Sequence, residues 1–132
     1  MGTWGPGIFE NDYALDWIAE LANSADNNPL IDALNTVIDQ IDKSPETQDC
    51  AVAITAAEVV AAWMGEPSED CPEEVETWVE GRPAPSATMI AQARYVTEIV
   101  LENSELKNLW KNSDEFDKWQ EGVEDLLPRL AC

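Results

Sequence analysis

The chain contains no histidine. This removes the usual general base of a nucleophilic triad and the usual ligand of zinc and of bundle-type di-iron centres. Basic residues are almost as scarce: seven Lys and Arg stand against 27 Asp and Glu, a formal net charge of −20. The first of the seven is Lys43, which follows Glu10, Asp12, Asp16, Glu20, Asp26, Asp32, Asp39 and Asp42. Proteins bind phosphate backbones by neutralising them with Lys and Arg and releasing counterions. Direct nucleic-acid binding is therefore disfavoured, and so is an anionic membrane surface.

Other signals are absent as well. The three cysteines, Cys50, Cys71 and Cys132, form no C-x-x-C pair. An odd number without framework spacing implies reduced thiols in a cytoplasmic protein, and no neighbouring cation in sequence activates them. The N-terminus lacks the basic stretch and apolar run of a signal peptide. Its Met1-Gly2 start has Pro6 where a myristoylation signal wants Ser or Thr. The longest apolar stretch, 50–64, is interrupted by Glu58 and is too short to span a bilayer. There is no G-x-x-x-x-G-K-[ST] loop, and the N-terminal glycines precede no βαβ unit, so a nucleotide site is not expected. The acidic run near Asp114 lacks the glycine and oxygen ligands of an EF-hand. No cofactor, metal or catalytic residue is assigned on these grounds.

What remains suits a folded domain. Apolar residues make up 45% of the 132 positions and include six tryptophans. A domain of this size buries roughly two-thirds of the surface its unfolded chain exposes, which dispenses with disulfide staples. The whole of 1–132 reads as a single helical domain.

Helical periodicity recurs along its length. A first helix over about 12–25 is capped by Asn11 or Asp12. It places Tyr13, Ala14, Trp17, Ile18 and Leu21 on one face, with Asp12, Asp16 and Glu20 in a row on the other. A second starts at Asn28-Pro29, with Leu30, Leu34, Val37, Ile38 and Ile41 inward and Asp32, Asn35 and Asp39 outward. Ser44-Pro45-Glu46 opens a third over about 46–64, stopped by Gly65. Its segment CAVAITAAEVVAAWM is apolar nearly all round, so this Ala-rich helix belongs at the centre. Pro72 starts a short helix ending at Gly81, with Val75, Trp78 and Val79 inward. Ser86 caps a helix over about 87–102, and Ser104 and Ser113 cap two more. Pro128 ends or kinks the last. No stretch alternates as a strand does. The expected fold is all-α, a compact bundle of six or seven helices.

The opening, G-x-W-G-x-G-x-F-x-N-D-x-A-x-D-W, is filled here by Gly2, Trp4, Gly5, Gly7, Phe9, Asn11, Asp12, Ala14, Asp16 and Trp17. With the Ala-rich helix carrying Glu58, the PEEVETWV segment and the NSELKNLWKNSDEF run, it resembles the bacterial family called domain of unknown function 4259. The likeness covers essentially the whole chain. It implies a small bacterial intracellular protein and brings no activity or catalytic residue with it.

Three constellations invite a functional reading. Gly5-Pro6-Gly7 ahead of a helix resembles an anion loop, but Glu10, Asp12 and Asp16 would repel phosphate. The structural alternative seats Trp4 and Phe9 in the core while the glycines allow tight turns. The row Asp12, Asp16 and Glu20 is either a solvated face, a cation site or, with Asp32 and Asp39 on the next helix, a surface for a basic protein partner. Glu58 lies inside an apolar helix, where a lone carboxylate is costly. It is either paired with Arg94 in a buried structural bridge or a catalytic acid of raised pKa. The leading reading is a non-enzymatic interaction protein that presents acidic faces to a basic partner, of the immunity, antitoxin or nucleic-acid-mimic type. The alternatives are a cation-dependent or carboxylate-based enzyme, and a helical protein whose charge serves solubility alone.

Overall fold

The computed structural model describes residues 7–24, 26–40 and 42–131. Among them there is no strand. Seven helices are followed by a single helical turn: α1 (Asp12–Ala22), α2 (Asn28–Ile38), α3 (Thr47–Trp63), α4 (Glu73–Val79), α5 (Ala87–Glu102), α6 (Glu105–Lys111), α7 (Phe116–Glu124) and the turn α8 (Leu126–Arg129).

The helix α3 is the axis of the fold. Every side chain from Ala53 to Ala62 is buried, and α1, α2, α4, α5, α6 and α8 all pack against it. Small residues make this possible, because alanines let neighbouring backbones approach from several directions at once. The helix ends in a Schellman motif. Gly65 adopts φ +90°, its N–H donates to the Ala62 carbonyl, and the Glu66 N–H donates to that of Ala61 at 2.9 Å. Glycine reaches this left-handed conformation without a Cβ penalty. One apolar cluster runs from Ile8 through Leu130.

Side-chain caps set several helix starts. The Asn11 Oδ1 accepts from the Ala14 N–H at 2.8 Å, Ser86 Oγ from Met89 N–H at 3.1 Å, and Ser104 Oγ from Lys107 N–H at 3.0 Å. Ser113 Oγ accepts from Glu115 N–H at 3.0 Å, tightening the turn before α7. Helix α2 differs from expectation. Asn28 is its first residue rather than its cap, and the Asp26 carboxylate accepts the Asn28 N–H at 3.1 Å.

The break between α7 and α8 falls at Asp125, three residues before Pro128. Proline cannot donate to the carbonyl four residues back, here that of Glu124, and its ring collides with it. Pro128 itself then sits in the first turn of α8, where no intrahelical donor is required.

Tryptophans join the smaller helices to the body. Trp63 and Trp78 meet edge to face at 5.4 Å between centroids, and the Arg82 guanidinium lies 3.8 Å over the Trp78 ring. The Trp78 indole N–H donates to the Ser24 carbonyl at 3.2 Å, tying α4 to the α1–α2 connection. No helix among the described residues is long and apolar enough to cross a membrane.

Candidate functional site

Two of the concave regions bring together charged side chains from different elements. The larger, of about 510 Å³, is a groove between α1 and α2. Trp17, Pro29, Ala33 and Val52 supply its apolar surface, Glu20, Asp26 and Asp32 its charge, and no Lys or Arg among the described residues lines it. The arrangement follows from helical periodicity. Trp17 and Ala33 point into the α1–α2–α3 junction and are nearly buried, while Glu20 and Asp32, one turn or less away, fall at the rim and are exposed.

The groove thus brings together Glu20 and Asp32 from different helices. Asp12 and Asp16 continue the exposed row along α1, and Asp39 is exposed at the C-terminal end of α2; none of these three lines the groove. Asp26 joins the rim but is already engaged by Ser24 and the α2 N-terminus. Among the described residues, no three His, Cys, Asp or Glu side chains converge where they could hold a metal ion.

The second region is a cleft of about 330 Å³ at the Glu58 side of α3. Its walls are the N-terminal turn Gly7–Phe9, the loop 67–70, and Gly122, Asp125 and Arg129. Glu58 is only 3% exposed. Its partner is Arg129, not Arg94. Arg129 Nη1 donates to Glu58 Oε1 at 2.8 Å and Nη2 to Oε2 at 2.9 Å. The same guanidinium donates from Nε to Asp125 Oδ2 at 2.9 Å and from Nη1 to the Glu66 carbonyl at 3.2 Å. Arg94 is exposed, on the stripe of α5 shared with Ala91, Tyr95, Glu98 and Glu102. Its helical phase turns it away from α3, because Ala93, Val96 and Val100 hold the inward side.

Burial pushes the Glu58 carboxyl above its ordinary value, against the opposing pull of the Arg129 guanidinium. The bridge in turn raises Arg129, which stays charged. Cys50 and Cys71 are held in the neutral thiol form at neutral pH. Burial pushes Cys50 to about 12, and burial with the nearby Glu76 and Glu58 charges pushes Cys71 to about 11.

The described part of the opening motif is held by local hydrogen bonds and burial. The Gly7 N–H donates to Glu10 Oε1 at 2.9 Å, and Asn11 bridges the Ile8 carbonyl to the start of α1. Phe9 and Trp17 are buried. Trp4 and Gly5 lie outside the described residues.

A family model described as Domain of unknown function (DUF4259) matches residues 2–122. The chain belongs to this family. The DUF4259 match includes the opening, the α1–α2 groove and Glu58, and it ends before Asp125 and Arg129. No curated protein and no solved structure matches the chain.

Proposed function

We propose that this DUF4259 protein is a non-enzymatic interaction protein that binds a basic protein partner through the groove between α1 and α2. The observation that carries the reading is that Glu20 and Asp32, from different helices, line one apolar-floored groove that no Lys or Arg among the described residues lines. An apolar floor offers desolvated contact, and the acidic rim offers steering and register. Asp12 and Asp16 extend the field along α1. With a net charge of −20, association with a basic protein is fast and falls steeply with ionic strength. The immunity, antitoxin and nucleic-acid-mimic types share this chemistry.

Affinity capture from host lysate at low salt, comparing the native chain with an Asp12→Asn/Asp16→Asn/Glu20→Gln/Asp32→Asn variant, tests the reading. A basic protein recovered by the first and lost by the second supports it. The same recovery by both forms counts against it.

A further inference from the structure

The two helices that wall the acidic groove both rest on α3, and each touches α3 more than it touches the other. The layer of helices around the central helix is therefore open between α1 and α2. Every α3 side chain from Ala53 to Ala62 is buried, but Val52 is only partly buried, and it lines the groove with Trp17 and Ala33. Here the apolar axis of the fold reaches the surface.

The gap has the spacing of a helix contact. Trp17, Glu20 and Ser24 line it from α1, and Pro29, Ala33 and Thr36 from α2, each row at steps of three and four residues. Each row runs about 11 Å along its helix, or about two turns. A helix laid in the gap meets both rows with side chains at i, i+3 or i+4, and i+7. An extended segment would press unpaired backbone N–H and C=O groups against the apolar floor, because helical walls have no free backbone row to pair with it. A helix satisfies its own backbone.

The rim sets the charge of the occupant. Glu20 stands on the α1 side and Asp32 on the α2 side, both exposed, and no Lys or Arg among the described residues lines the groove. The last turn of α1 carries no basic residue, so the partial negative charge of its C-terminus adds to that of Glu20. Acids on both sides of an apolar floor are complemented by an apolar stripe with cations on both of its flanks.

We propose, resting on the reading of this groove as a surface for a basic protein, that the partner enters it as an amphipathic helix. Its apolar stripe lies on Trp17, Ala33 and Val52. Lys or Arg on one flank faces Glu20, and Lys or Arg on the other faces Asp32. The docked helix closes the layer around α3 and completes the burial of Val52.

The probes are two peptides of identical Lys, Leu and Ala composition, each about four turns long as a helix. One has a leucine stripe flanked on both sides by lysine; the other is scrambled so that no stripe forms. Affinity is read by fluorescence anisotropy at low salt, and peptide helicity by circular dichroism. Each peptide meets the native chain, Glu20→Lys/Asp32→Lys and, as a control of equal charge change, Asp114→Lys/Asp117→Lys, whose acids are exposed and lie outside the groove. The striped peptide binds the native chain about tenfold or more tighter than the scramble and gains helix on binding. Asp114→Lys/Asp117→Lys keeps that advantage and Glu20→Lys/Asp32→Lys loses it. Equal affinities for the two peptides, weakened only by Glu20→Lys/Asp32→Lys, overturn the helical occupant and leave the groove as a surface for a basic partner. Binding of neither peptide, or equal weakening by the two variants, overturns both. If Glu20→Lys/Asp32→Lys does not fold, Glu20→Gln/Asp32→Asn is measured by the same criteria against Asp114→Asn/Asp117→Asn.

Discussion

Arg129 and Glu58 are joined by two parallel N–H···O bonds of 2.8 and 2.9 Å, across 71 positions of chain. The pair fastens α8 to the central helix α3. It also satisfies a carboxylate that α3 would otherwise bury alone.

Removing the cation exposes that dependence. Breaking a buried pair from one side costs about 3–5 kcal/mol, because the remaining charge is left uncompensated. Arg129→Met should destabilise the fold by about 3 kcal/mol at pH 7.5, as read by urea unfolding. The loss should be smaller near pH 5. The sign follows from Glu58. Its carboxyl is raised by burial even in the native chain, and loss of the guanidinium raises it further. Between the unfolded and folded values the folded state holds the extra proton, so stability falls as pH rises through that window. A deficit that does not grow with pH would show that Glu58 is not charged in the fold.

Asn11 caps α1 and also holds the preceding turn through the Ile8 carbonyl. Asn11→Ala should cost about 1–2 kcal/mol in chemical unfolding. Asn11→Asp keeps the acceptor and should lose less. Equal losses would contradict the capping role.

The close packing around α3 leaves no room for larger side chains. Ala57 is fully buried, and Ala57→Leu should destabilise by about 1–3 kcal/mol through overpacking. The same change at exposed Ala91 should stay within about 0.5 kcal/mol. Comparable effects at the two sites would place the core elsewhere.

Thiol reactivity checks the electrostatics independently. In a Cys132→Ser background, disulfide-exchange labelling at pH 7 should leave Cys50 unmodified until the protein unfolds, and should reach Cys71 far more slowly than a free cysteine. These rates follow from thiols pushed to about 12 and about 11. Rapid labelling of Cys50 in the native state would contradict its burial.

Much of this fold is legible in local pattern. The all-round apolarity of 50–64 announces the central helix, and Ser86 and Ser104 announce their caps, because capping and burial periodicity act over a few residues. The partner of Glu58 is not legible in the same way. Arg94 sits in a mostly apolar helix and attracts the pairing, but its helical phase turns it outward. Arg129 reaches Glu58 only because the chain breaks at Asp125 and docks Leu126 and Leu130, a tertiary event with Pro128 as its one local trace. The meeting of Glu20 with Asp32 likewise depends on how α1 packs beside α2. The outward faces of those helices are readable singly, and their convergence is not.

The α1–α2 groove is tested most directly by a two-dimensional amide NMR titration with a Lys/Arg-rich peptide at low salt. Specific docking predicts saturable shifts concentrated at the Trp17 indole, Glu20, Asp32 and Ala33, abolished by Glu20→Gln/Asp32→Asn without loss of fold. Shifts spread evenly over the acidic surface, unchanged in that variant, would contradict it.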